Sequence, residues 1–179
     1  MKVVQILPTI SFGDAVSNDA IALGDAIRKM GYHTSIFAEN IDKRLPQNTV
    51  KSIRMISGLS DNDVVIYHLS TGTDLNYKMK EIPGRKLMIY HNITPPDFLR
   101  PYNLEAAQRC ESGLKEAQYL EDIIKYVLAD SNYNKRDLES MGYQCKIDVL
   151  PILIAFEDYK RKPYEKILQK YDDDWVNLI

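Results

Sequence analysis

Two short apolar runs in this chain, VVIYH closing at His68 and LMIYH closing at His91, stop on the same three residues, Ile-Tyr-His. A run of four or so β-favouring apolar residues that gives way abruptly to polar ones predicts a strand buried on both faces, as in a parallel sheet. Such a strand delivers its last side chain to the carboxyl edge of the sheet, where open α/β sheets bind ligands. Two of the chain's three histidines are placed this way. Asn92, Ile93, Thr94, Pro95 and Pro96 follow the second one. The prolines are expected to block helix or strand continuation and to stiffen the exit loop, holding His91 at a rigid, partly open rim.

The rest of the pattern agrees with a parallel sheet. Val3 to Leu7 predicts a first strand, and Gly13 sits in a turn before Val16, Ala20, Leu23, Ile27 and Met30, which step by four and three as one face of an amphipathic helix. Gly31 closes that helix and Thr34 to Ala38 is a second strand, so the chain opens as a Rossmann-like unit with a right-handed crossover. Further strands are expected at Val64 to Tyr67, Lys86 to Tyr90, Val127 to Ala129 and Ile147 to Leu150. Between them the pattern predicts one short helix within Thr71 to Arg85 and a long one over Leu104 to Lys125, where Gly113 marks a bend or a close contact. Ser131 caps a helix that ends near Gly142. Asn40 to Asp63 carries no long element. The expected fold class is α/β, a Rossmann-like parallel sheet with helices on both faces, spanning residues 1–156.

After Pro151 the character changes. Residues 157–174 carry charge of both signs and read as a linker with one amphipathic piece around Tyr164 to Tyr171, and 175–179 read as the opening strand of a second, truncated domain. A net charge of −2 gives no general basic field, so nucleic acid is not an expected partner. The opening residues lack the pattern of a signal peptide, and no segment approaches the roughly 20 apolar residues of a membrane span, so a cytoplasmic location is expected. Cys110 and Cys145 have no metal-ligand spacing and read as reduced structural thiols. Asp172, Asp173 and Asp174 read as a solvated acidic run, leaving no metal site expected. No serine lies on a nucleophile elbow, and His33, at the amino end of its strand, reads as structural.

Two places carry chemistry. The turn at Gly13 feeds a helix N-terminus, whose unpaired N–H groups favour an anion such as phosphate. It lacks the G-x-G-x-x-G and Walker patterns, however, and Asp14 would repel a phosphate directly beside it. A plain structural turn is the other reading, with Asp14 either accepting from a sugar hydroxyl or capping the helix. His91 could hydrogen-bond a sugar hydroxyl or orient attacking and leaving groups, or it could be a structural histidine bonded to a loop carbonyl. The same two readings apply to His68, which Ser70, Thr71 and Gly72 follow.

Four segments, GDAVSNDA at Gly13 to Ala20, YHLSTGT at Tyr67 to Thr73, IYHNITPPDFL at Ile89 to Leu99 and LADSNYNKRDLESMGY at Leu128 to Tyr143, together resemble a bacterial branch of the family-four retaining glycosyltransferases of GT-B architecture. The resemblance implies two Rossmann-like domains. This chain corresponds to the amino-terminal, acceptor-side one, and the paired glutamates of an E-x7-E pattern that help hold the donor belong to the other. It implies a nucleotide-sugar as donor substrate, no cofactor or metal, and a saccharide or lipid-linked acceptor in surface-polysaccharide synthesis. A lipid-linked acceptor would bring the enzyme to the inner face of the membrane. Gly13 and Asp14 would face the donor diphosphate and the acceptor, His91 the transferred sugar, and Asn92 and Thr94 would shape the same rim. The chain alone is expected to be inactive. A stand-alone Rossmann-type nucleotide- or sugar-binding module is the alternative. A sugar-nucleotide oxidoreductase or epimerase is disfavoured, because the first turn lacks the dinucleotide glycine pattern and no Tyr-x-x-x-Lys pair follows a helix-borne serine.

Overall fold

A computed structural model of the chain describes residues 1–154, 156 and 160–172. The elements run β1 (Lys2–Ile10), α1 (Ala15–Lys29), β2 (His33–Ile41), β3 (Lys51–Ser52), a single 3-10 turn (Ile53–Met55), β4 (Val64–Leu69), α2 (Leu75–Lys78), β5 (Arg85–Tyr90), α3 (Pro96–Leu99), α4 (Leu104–Leu120), β6 (Tyr126–Ala129), α5 (Asn132–Ser140), β7 (Lys146–Val149) and α6 (Glu165–Lys170). Every strand pairing is parallel, and the seven strands lie in the order β3-β2-β1-β4-β5-β6-β7. The architecture is therefore an open α/β sheet of Rossmann-like type with helices on both faces. The strand order reverses between β1 and β4, which makes their carboxyl ends the switch point of the sheet.

Strand parity decides what each face buries, because alternate side chains point to opposite sides. Ala20 and Ile27 of α1 belong to the clusters that contain Val3, Leu7, Ile36, Ile66 and Ile89. On the other face Ala117 and Leu120 of α4 and Leu138 of α5 pack with Val4, Ile6, Val65, Tyr67, Met88 and Tyr90. Gln5 and His68 share parity with Val3 and Ile66, and both are fully buried. They belong to the α1 face.

Several boundaries differ from the sequence expectation, each for a local reason. β1 continues past Leu7 through Pro8 to Ile10. Its register with β2 passes from Leu7↔Ala38 to Thr9↔Asn40 and its pairing with β4 has already ended at Ile6↔Tyr67, so proline's missing N–H costs no ladder bond. Pro96 does not block a helix. It begins α3 at a first-turn position, where the absent N–H would have had no helical partner. α4 stops at Leu120 rather than Lys125; Leu104 is exposed, and Ile124 reaches the core from the turn beyond the helix. The segment from Asn40 to Asp63 holds the two-residue β3 and the 3-10 turn. Within the expected linker α6 is exposed throughout, while 157–159 and 173–179, with the expected second-domain strand, lie outside the described residues. Among the described residues no helix is long and apolar enough to cross a membrane.

Candidate functional site

The carboxyl ends of β1, β4, β5 and β6 bring most of the candidate residues to one edge. Gly13 lies in the turn after β1 with φ +78°, a left-handed conformation that glycine adopts without strain, and a Cβ there would meet nothing within 4 Å. Asp14 is the N-cap of α1. Its Oδ2 accepts from the Ser17 N–H at 2.9 Å and from the Ser17 hydroxyl at 2.7 Å, and Ser17 Oγ accepts from the Ser11 N–H at 2.9 Å. Of the readings open for Asp14 the helix cap is present, and it leaves Oδ1 at an exposed turn.

Beyond β5, Asn92 adopts φ +72° and turns its Oδ1 back to accept from the Ile93 N–H at 2.9 Å. That conformation suits asparagine better than most residues. Thr94 is exposed at the following position.

The two histidines are not at an open rim. His68 is fully buried and the side chain of His91 is 0% exposed, because His91 is closed on both sides by polar partners. Gln5 Nε2 donates to the Ala20 carbonyl at 3.0 Å, which turns Gln5 Oε1 toward His68 Nε2 at 2.9 Å. His68 Nδ1 faces His91 Nε2 at 2.8 Å, and His91 Nδ1 meets Asp130 Oδ2 at 2.9 Å. One continuous row thus runs from α1 through β1, β4 and the end of β5 to the residue after β6. Asp130 Oδ1 is buried without a hydrogen-bond partner.

Asp19, on α1, completes the cluster. Its Oδ1 accepts from the Leu153 N–H at 2.8 Å, and it offers a carboxylate oxygen within 4.8 Å of a nitrogen from each histidine. Burial raises the Asp19 carboxyl above its ordinary range, offset in part by the Leu153 bond and the neighbouring His91. Burial also pushes the His68 imidazole well below its usual value, and the adjacent His91 adds to this.

Three such groups at this spacing are candidates to hold a cation, but the ring geometry is that of a hydrogen bond. The histidine planes differ by only 3°, and their 5.1 Å centroid separation equals the 2.8 Å N···N distance plus the two centre-to-nitrogen ring radii. The rings are therefore coplanar and edge to edge, with the facing nitrogens on one line. A tetrahedral metal would need those lone pairs to converge at an angle.

A second polar network secures the loop after β4. Glu116 Oε2 on α4 accepts from the Thr73 N–H at 2.7 Å and from Asn76 Nδ2 at 2.5 Å, the Thr73 hydroxyl donates to Glu39 at 2.8 Å, and the Tyr67 hydroxyl donates to Asn76 Oδ1. An open groove of about 500 Å³, lined by Ile53, Arg54, Leu75, Lys78 and Ile82 among others, shares no residue with the histidine cluster.

Sequence reasoning reaches Gly13, Asp14, His68, His91, Asn92 and Thr94 and misses Gln5, Asp19 and Asp130. Gln5 had a signal, since it is the one polar residue inside VVQIL. Asp130 had one too: it follows β6 as His91 follows β5. No family model matches this chain, and no curated protein is significantly similar to it.

Proposed function

We propose that this chain is the acceptor-side domain of a retaining glycosyltransferase that moves a sugar from a nucleotide-sugar donor to a hydroxyl of a saccharide or lipid-linked acceptor. The observation that carries the reading is the gathering of the Gly13 turn, His68, His91 and the Asn92 to Thr94 loop at the switch point of a parallel sheet, the place where such sheets receive ligands. The four segments that resemble family-four enzymes supply those residues.

In this reading the exposed groups meet the ligands first. The Gly13 and Asp14 turn opens onto the N-terminus of α1, whose dipole favours a diphosphate, while Oδ1 of Asp14 is available to an acceptor hydroxyl. Asn92 and Thr94 border the transferred sugar. His91 acts from beneath them, and its ring reaches a ligand only by giving up His68 or Asp130. No carboxylate of this domain serves as nucleophile. A donor phosphate oxygen takes the proton of the incoming hydroxyl, and the domain positions the acceptor and steadies the charge. A second domain with paired glutamates completes the donor pocket, and surface-polysaccharide assembly at the inner face of the membrane is the setting.

The test compares this chain with the full-length product of its gene. The full-length protein is expected to transfer sugar from a nucleotide-sugar with retained anomeric configuration, read by proton NMR, while the chain alone binds saccharide weakly and does not turn over. Ligand binding by the full-length protein with no transfer to any hydroxyl acceptor would favour the stand-alone binding module instead.

A further inference from the structure

We propose that His68 and His91 hold one proton between their facing nitrogens, so that His91 stands as a buried imidazolium that gives a hydrogen bond to a ligand oxygen only by releasing His68 or Asp130 and cannot act as a base, with Gln5, His68 and Asp130 as the residues that position it. The shared proton follows from the hydrogen bonds, and its place on His91 from the burial of His68 and the Asp130 carboxylate. Its use on a ligand rests on the glycosyltransferase reading, and the ligand group it suits is an accepting oxygen such as that of a phosphate.

The hydrogens along the row can be counted from its two ends. Gln5 cannot be flipped, because its Nε2 is the atom that donates to the Ala20 carbonyl at 3.0 Å, and an amide oxygen there would face a carbonyl oxygen. Gln5 Oε1 therefore accepts, and His68 Nε2 must carry hydrogen. At the other end, Asp130 is acceptor-only as a carboxylate, so His91 Nδ1 must carry hydrogen. If both rings were neutral, the two remaining nitrogens would each present a lone pair to the other along a 2.8 Å line. A proton between them turns that repulsion into a bond.

Which ring owns the proton follows from the surroundings. His68 is fully buried, its ring nitrogens hydrogen-bond only neutral Gln5 and His91, and its burial disfavours charge, while Asp19 lies within 4.8 Å of a nitrogen of both rings. His91 is the ring that hydrogen-bonds a carboxylate, that of Asp130 from the residue after β6. His68 is thus the acceptor and His91 the cation. A histidine with hydrogen on both nitrogens has no lone pair with which to deprotonate an incoming hydroxyl.

The direct test uses the chain as it stands, uniformly labelled with nitrogen-15. Long-range proton–nitrogen correlation spectra of the imidazoles at pH 7 are expected to show both His91 nitrogens bearing hydrogen and His68 with hydrogen on Nε2 only. A His91 with one bare nitrogen would overturn the proposal whatever the protein's activity. A chelator that altered both histidine spectra would also overturn it, since a metal would then occupy the proton's place. In a folded Asp130→Asn variant, His91 is expected to regain a bare nitrogen; no change would remove Asp130 from the positioning role. In the full-length enzyme kcat/KM should fall as pH rises, with the loss of a donor, and a rise in the same interval would assign His91 the role of base.

Discussion

Gly72 and Gly113 bring two stretches of backbone into direct contact: a Cβ built on Gly113 would stand 2.7 Å from the amide nitrogen of Gly72, and one on Gly72 would stand 2.6 Å from the Arg109 carbonyl oxygen. The loop that leaves β4 just after His68 is thereby seated on α4. Gly113→Ala should destabilise the fold by about 1–3 kcal/mol through overpacking, although alanine would otherwise favour the helix by about 1 kcal/mol. Urea unfolding reads the sign, and a gain in stability would mean that the loop yields freely.

Glu116 holds the same loop from the other direction, accepting from both the Thr73 N–H and Asn76 Nδ2. Glu116→Ala leaves the half-buried Thr73 N–H and one N–H of the buried Asn76 amide without that acceptor and should cost on the order of 3 kcal/mol. Glu116→Gln, whose amide oxygen can take the same place, should retain most of that stability. Equal losses for both variants would show that side-chain charge, not hydrogen-bond satisfaction, is what matters there.

On the proposed glycosyltransferase reading, His91→Ala lowers sugar transfer by a protein carrying both domains about a hundredfold, the scale of one lost preorganised polar contact. From sequence alone, turnover should suffer far more than stability. Burial changes that expectation, because the substitution leaves His68 and the Asp130 carboxylate facing a void, at a further cost on the order of 3 kcal/mol. Unfolding curves and transfer rates corrected for the folded fraction separate the two effects. Full activity per folded molecule would make His91 purely structural.

Acid sensitivity should report on Asp63. Its carboxylate accepts from the Lys2 N–H at 2.6 Å and from the Ser60 N–H at 2.9 Å, and these bonds lower its pKa from 3.8 to about 2. A depressed carboxylate contributes stability above its unfolded value and loses it as pH falls through the folded one. Stability of the chain should therefore decline between about pH 4 and pH 2, and Asp63→Asn should flatten that part of the curve in a pH series of urea unfolding.

The sheet was legible because each strand but the two-residue β3 declares itself locally. VVIYH and LMIYH are buried runs whatever surrounds them, and the five strands expected after the first turn and helix all lie in one parallel sheet. Pro96 misled for the opposite reason: its effect depends on whether an N–H was needed at that point, which only the helix start reveals. The site was half legible. Parity assigns Gln5 and His68 to a common face, yet nothing local says that β1 and β4 are neighbours, so a bond across 63 residues stays hidden. Asp130 lies 39 residues from His91 and becomes its partner only through the pairing of β5 with β6.

The central position of β1 also governs when the histidine row can exist. β1 pairs with β2 across one short crossover, but its other edge waits for residues about as far along the chain as Val64, the partner of Val3. Closing that long loop before any contact rewards it makes non-local parallel pairing slow. Gln5 meets His68 only after the β1–β4 seam has formed, and His91 meets Asp130 only when β6 has been added. The row is therefore a late product of folding, and the signals of its two rings should return with the slowest refolding phase of the sheet.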